Sequence, residues 1–335
     1  MLKRILGLAT IAALTALGAA GPAGAADVKV SIGMSAGINQ VPSLVAQAKG
    51  FFKQQGIDIE LRPLARGALA IEGVSGGSLQ FAESAHVPFM AAVSKGVPLI
   101  AVGVAARGFY GKLVAAPKNA NLKTLADFKG KHIGTQVGTG MYTVVLMLME
   151  KEGLKPEDFK ITNVRVVDMP AAMAAPNNDF DAVIGWEPGM QRIVQSGHGK
   201  VLIPAKQFQD MAHITYPFLL TTTKQYHSEH ADVVQKVLNA YAMADKYIQG
   251  HHDETVQIYI NEVKKRGAKL SEADVKVMLF DTDRFDGPAF SKADMEDFPA
   301  TRDFLIKTKK IKSLPPFEQI MDKSFGDKAE ATMMK

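Results

Sequence analysis

The sequence predicts an α/β protein built as two units joined by two crossings. Strand-like patterns alternate with helix-periodic ones from Val28 to Pro204. The chain has 335 residues, beyond the roughly 250–300 at which a single core usually divides. The apolar stretch His213–Thr223 reads as a long strand able to carry the chain back to the first unit, and everything after Glu229 is helical pattern. With 47% hydrophobic and 22% charged residues the composition excludes disorder of the whole chain. The absence of cysteine excludes disulfides, thiolate metal sites, iron–sulfur clusters and cysteine nucleophiles.

The first unit opens with Val28–Met34, where β-branched and polar residues alternate, followed by the loop 35–40 and an apolar-periodic helix over Val41–Phe52. Ile57–Leu64 reads as a strand, Ala68–Val74 as a short helix, Leu79–Ser84 as a strand, Val87–Ser94 as a helix and Pro98–Ala106 as a buried strand. The second unit follows Lys112–Pro117: helix Leu122–Phe128, strand Lys131–Gln136, the turn Gly138-Thr139-Gly140 and helix Tyr142–Glu152. Strand Ile161–Asp168, a short helix near Ala171–Ala175, strand Asp181–Gly185, helix Pro188–Gln195 and strand Val201–Pro204 complete it. Strands separated by helices imply parallel pairing in sheets covered on both faces. The crossings fall near 112–118 and 210–218, giving one lobe of 26–114 plus 214–335 and a second of 115–213.

Residues 1–25 read as a secretory signal peptide. A basic start at Lys3 and Arg4 precedes an apolar stretch from Ile5 to Ala20, and Ala23-Gly24-Ala25 offers small residues for cleavage before Ala26. Removing Lys3 and Arg4 from 39 basic residues leaves 37 against 34 acidic, so the formal charge of +5 falls to +3 and says little about partners. Without a cysteine for lipid attachment the expectation is an exported protein free in the periplasm, not lipid-anchored.

Most motif matches fail on context. Gly73-Val74-Ser75-Gly76-Gly77 fits G-x-S-x-G, but a nucleophile elbow needs strand before and helix after, and here the order is reversed. The pairs His227/His230 and His251/His252 lack metalloprotease spacing and sit at helix entries, so no metal is expected. Lys307–Lys312 is a basic run without interleaved aromatics, which fits a solvated helix face better than a nucleic-acid partner. No dinucleotide or phosphate-loop fingerprint is present, and no cofactor is expected.

The informative segment is Lys131–Glu152, where a strand runs into Gly138-Thr139-Gly140 and a helix opens at once. Free amides of Gly138 to Tyr142 with a helix dipole behind them suit an anionic group. The alternative is that the two glycines merely permit a tight turn.

Several segments, in order, carry a resemblance. They are IGMSAGINQVP from Ile32, AKGFFKQQGIDIE from Ala48, Ser84-Ala85-His86-Val87-Pro88, Lys95-Gly96-Val97-Pro98, LADFKGK from Leu125, the Gly138–Tyr142 helix start and DAVIGWEP from Asp181. The chain resembles the nitrate/sulfonate/taurine-type substrate-binding proteins of ABC importers, which are also relatives of the thiamine-pyrimidine synthases. The resemblance implies a bilobal periplasmic binding protein fold (type II-like) with two hinge crossings and a ligand between the lobes. Strand-end physics places it there too, because ligands in open α/β sheets bind beyond the carboxyl ends of the strands.

The residues at those ends are the candidate ligand-binding set. The first lobe supplies Ser35, Asn39, Gln40, Arg66, Ser84 and His86, and the second supplies Thr139, Gly140, Met141, Tyr142, Trp186 and Glu187. Arg107 and Tyr110 lie near the first crossing and Tyr216 near the second. Arg66 suits bidentate binding of an oxyanion, with a surface salt bridge as the alternative. Trp186, the single tryptophan, reads as an apolar wall or as interlobe core. Glu187 either receives a ligand ammonium, which favours a zwitterion, or simply supports the start of the following helix.

The expected function is capture of a small anionic organic solute, of the sulfonate, taurine, nitrate or aromatic carboxylate class, by a monomer that performs no chemistry and delivers the solute to an ABC permease and its ATPase. A thiamine-pyrimidine-synthase-like enzyme on the same fold, or a module presenting ligand to a membrane sensor, are the alternatives. The fungal enzymes of that family, as the resemblance would carry them over, use a cysteine-rich iron motif that this chain lacks.

Overall fold

The computed structural model describes residues 27–333 apart from 36, 268 and 281–284; the expected leader over 1–25 lies outside the described residues. The first strands are β1 (Val28–Ser35), β2 (Ile57–Leu64), β3 (Phe81–Ala85), β4 (Leu99–Ala106) and β5 (Gly111–Ala115). They are followed by β6 (His132–Thr135), β7 (Lys160–Asn163), β8 (Ala182–Trp186), β9 (Lys200–Ile203) and β10 (Phe218–Thr223). One sheet has the order β2-β1-β3-β10-β4 and the other β7-β6-β8-β5-β9.

The two orders are the same pattern. In each sheet the first, second and third strands of the lobe pair in parallel, as in Ile32 beside Leu61 and Phe81, or Ile133 beside Ile161 and Ala182. The strand supplied by a crossing then inserts before the fourth. β10 is antiparallel to β3 and β4, and β5 is antiparallel to β8 and β9. This corrects the expectation of wholly parallel sheets. Parallel strands point their carboxyl ends at the cleft, so a chain that enters a lobe from the cleft can only run away from it.

The expected lobe boundary at 114 falls inside β5, all five residues of which pair within the second sheet. The first crossing is therefore residues 107–110 and the second 213–217. The long strand expected over His213–Thr223 is confined to β10, because His213 (φ 53°) and Tyr216 (φ 51°) are left-handed and interrupt extension. A helix, Ala205–Ala212, precedes it. Likewise the strand expected over Ile161–Asp168 stops at Asn163. Helix Val41–Phe52 divides into Val41–Ala48 and Phe51–Gln54 at Gly50, whose φ of 71° only glycine adopts freely. The expected helix Leu122–Phe128 is a single 3₁₀ turn, Ala126–Phe128, with Asp127 Oδ2 accepting from the amides of Lys123 and Thr124, each at 2.9 Å.

After β10 the chain is helical, with Ala231–Gly250, His252–Lys265, Glu272–Phe280, Lys292–Lys307 and Ser324–Met333 as the principal elements. Val233, Val237, Leu238, Tyr241 and Ile248 on the first of these are buried against the first lobe's core, at offsets that keep them on one face of a helix. Helix Lys292–Lys307 starts on a capping box, Ser291 with Asp294. Among the described residues no helix is long and apolar enough to cross a membrane.

Candidate functional site in the interlobe cleft

The carboxyl ends of the parallel strands of both sheets meet at a cavity of about 30 Å³. That is room for two or three water molecules, each needing roughly 10–15 Å³, so the lobes stand nearly closed on one another at this point. From the first lobe the cavity is lined by Ser35 at the end of β1, Arg66 after β2, Ala85 at the end of β3 and Pro88 after it. From the second it is lined by Gly138 to Met141 and Trp186, and the crossings contribute Tyr110 and Tyr216.

Arg66 is the extended residue before helix Gly67–Ser75 (φ −162°). This helix sits close to β3 because residue 67 has no side chain: a Cβ there would lie 2.7 Å from Ser84 Cβ. The Arg66 carbonyl accepts from the Leu69 amide at 3.1 Å, but among the described residues the Arg66 side chain makes no ion pair or hydrogen bond, so its charge is free to meet a ligand.

Opposite it stands the helix Gly140–Lys151, capped by Thr139, whose Oγ1 accepts from the Tyr142 amide at 3.2 Å and donates to the Gln136 carbonyl at 2.8 Å. The amides of Gly140 and Met141, in the first turn, have no intrahelical acceptor. Gly138 supplies the left-handed turn (φ 77°) ahead of the cap. At Gly140 a Cβ would meet Tyr216 Oη at 2.6 Å and Ala85 Cβ at 3.2 Å, so this helix start abuts the opposite lobe directly.

The remaining walls are aromatic. The Tyr110 ring has its centroid 6.2 Å from that of Trp186, 6.3 Å from Tyr216 and 5.3 Å from Phe218. Each crossing thus places one tyrosine in the wall, and whatever moves the lobes also moves the lining. The backbone of Tyr216 is held by Asp297, whose Oδ2 accepts from the Tyr216 amide (2.9 Å) and from the Thr215 amide and hydroxyl (3.1 Å each). Burial raises the Tyr216 phenol well above its ordinary range, so it stays protonated.

Eight of the fifteen candidate residues line this cavity: Ser35, Arg66, Tyr110, Thr139, Gly140, Met141, Trp186 and Tyr216. Gln40 and Glu187 line a neighbouring cavity that shares Trp186. Tyr142 is half-buried and lies outside both. Asn39 is buried beside the cleft with neither amide atom partnered.

Three candidates are placed elsewhere. Arg107 is turned into the C-terminal helices, where Nε donates to Asp294 Oδ2 (2.9 Å) and Nη1 to the Gly287 carbonyl (2.8 Å), with Asp286 and the Ala289 carbonyl completing its set. His86 lies behind Tyr216, Nε2 being 3.1 Å from Thr301 Oγ1, which itself donates to Asp297. Burial lowers the affinity of His86 for a proton, and it belongs to the support of the second crossing. Ser84 is wholly buried under Gly67.

Glu187 does not stand alone at the cleft. Lys112 Nζ is 2.6 Å from its Oε1, and its Oε2 accepts from the Gln191 amide at 2.9 Å at the start of helix Gly189–Gln195. Sequence reasoning missed Lys112, which looks like one more polar residue in a strand. It also missed Gly67, Ala68, Ala85, Pro88 and Phe218 as lining, small and apolar types that carry no chemical signal.

A family model described as NMT1/THI5 like matches residues 38–255. A binding protein of Brucella abortus is 24% identical over 228 residues, 68% of either chain. A thiamine biosynthesis protein of Haemophilus influenzae is 26% identical over 238 residues, 70% of this chain and 73% of its own. Among solved structures, the alkanesulfonate-binding protein of Xanthomonas axonopodis bound to MOPS superposes with a TM-score of 0.71 at 19% identity, covering 91% of this chain and 98% of that one. The two-sheet architecture is thus the bilobal periplasmic binding protein fold. With the family match spanning well over half of its length, the chain belongs to the NMT1/THI5-like family.

Proposed function

We propose that this is a periplasmic solute-binding protein that closes its lobes on a small organic anion and delivers it to an ABC permease. The observation that carries this reading is the pairing of an uncompensated guanidinium, Arg66, with the first-turn amides of helix Gly140–Lys151 on the walls of one aromatic-lined cavity. An oxyanion head is stabilised by both, and the flanking carbon skeleton lies against Tyr110, Trp186 and Tyr216. The likeness to a sulfonate-binding protein supports the same class of head group.

No acidic residue lines this cavity among those described, and Lys112 already neutralises Glu187. A simple alkanesulfonate is therefore preferred over taurine, whose ammonium finds no carboxylate. Among the described residues no histidine, carboxylate or lysine lines these walls, and this favours binding over acid–base catalysis. A ligand larger than the present cavity enters only when the hinge opens.

Titration of Trp186 fluorescence with alkanesulfonates, taurine, nitrate and aromatic carboxylates tests the reading. Saturable binding of a sulfonate that is weakened by Arg66→Ala is expected; no response to any sulfonate, taurine or nitrate, with no thermal shift, overturns it.

A further inference from the structure

On the other side of Trp186 lies a second cavity, of about 190 Å³, also walled by both lobes. Its donors are unusual for a space with no assigned occupant. The Tyr259 hydroxyl is completely buried and has no hydrogen-bond partner. Gln40, 1% exposed, has its Oε1 held at 3.3 Å by Arg266 Nη2, which fixes the amide and leaves Nε2 as a buried donor without an acceptor. Such groups cost on the order of 1–3 kcal/mol each when left unsatisfied.

Two guanidiniums complete the site. Arg266 is shared with Glu262 at 2.7 Å, whereas Arg192 is exposed and has no acidic partner among the described residues. The carboxylate on its wall, Glu187, has Lys112 Nζ on one oxygen and accepts from the Gln191 amide on the other, so its charge is already compensated. Burial raises the Tyr259 phenol well above its ordinary range, which keeps it a donor. The other walls, Val166, Trp186, Pro188 and Val263, are apolar.

We infer that this cavity is a second anion site, separate from the cleft around Arg66, that takes a monocarboxylate carrying a flat apolar body. The carboxylate accepts from Gln40 Nε2, Tyr259 Oη and Arg192, and the body packs on Trp186 and the valines. Size agrees, since a cavity of about 150 Å³ holds a benzene ring. An occupant touches both lobes and holds them together.

Benzoate is the probe, read by Trp186 fluorescence because that ring walls both cavities. The wild type and Arg66→Ala are expected to bind benzoate with equal affinity. Arg192→Ala and Tyr259→Phe are each expected to weaken it about tenfold, the weight of one hydrogen bond to a charged group. Arg192 is exposed and Tyr259→Phe keeps the ring, so both variants should fold, with circular dichroism as the check. Benzoate binding that vanishes in Arg66→Ala and ignores the other two variants overturns the inference, as does an absence of binding at millimolar concentration. Failure of sulfonates to bind at Arg66 would leave the benzoate result intact, so the two readings fail separately.

Discussion

Lys112 Nζ and Glu187 Oε1 lie 2.6 Å apart with both side chains buried, joining the start of β5 to the end of β8 where the second lobe meets the cleft. A buried pair of this kind is costly to break by halves, because the surviving charge has neither water nor partner. Lys112→Met should destabilise the protein by about 3–5 kcal/mol. The double variant Lys112→Met with Glu187→Gln should recover most of that loss. Urea denaturation of the three proteins measures it, and a double variant no more stable than the single one would show that packing, not charge, sets the cost.

The Arg66 side chain makes no hydrogen bond or ion pair among the described residues. Arg66→Ala should therefore leave the melting temperature unchanged within error while weakening sulfonate binding about tenfold or more, as expected for a lost charge-assisted hydrogen bond. Calorimetric titration beside a thermal melt separates the two effects. Arg66→Lys should restore charge but not the planar fork, and so recover only part of the affinity.

Gly140 is a point of close approach between the lobes. In Gly140→Ala the new methyl meets Tyr216 Oη at 2.6 Å, and the lobes should rest further apart, with a larger radius of gyration by X-ray scattering and weaker solute binding. Removing the obstructing oxygen in Gly140→Ala with Tyr216→Phe should return both toward wild type. If the single variant closes normally, the helix start adjusts locally and does not limit closure.

Away from the cleft, Glu83 on β3 is fully buried against the Tyr241 hydroxyl, and burial pushes its carboxyl up from 4.5 to about 7. A carboxyl that ionises at higher pH in the folded chain than in the unfolded one takes stability away as pH rises. The loss begins near 4.5 and is complete above about 7. At about 1.4 kcal/mol per unit this is on the order of 3 kcal/mol. Glu83→Gln should be more stable than the wild type at pH 8, equal to it near pH 4, and flatter between. A wild type whose stability is level across that range would contradict a raised carboxyl.

How far these features could be read in advance depended on whether their cause was local. Strands β1 and β2 and the helix after Gly138-Thr139-Gly140 follow from alternation, periodicity and a capping threonine, all within a dozen residues. The direction of β5 and β10 does not, because a run of apolar residues looks the same whichever way its neighbours point. Arg66 and Arg107 make the same lesson sharper. Both are arginines just past a strand, yet the Arg107 side chain is claimed by Asp286, Gly287, Ala289 and Asp294, nearly two hundred residues later, and the Arg66 side chain by nothing among the described residues. Lys112 was overlooked for the same reason, its partner being 75 positions away by their numbers.

The placement of β10 between β3 and β4 also sets an order of events. The strands of the second sheet are contiguous, from Gly111 to Ile203, so that lobe can pair fully as soon as those residues have been made. The first sheet cannot: until β10 arrives, β3 and β4 face each other across a missing strand. During synthesis the second sheet can therefore be completed before the first, although the first lobe begins earlier in the chain. The early strands wait with open edges, which are the part of the nascent chain most in need of protection from mispairing.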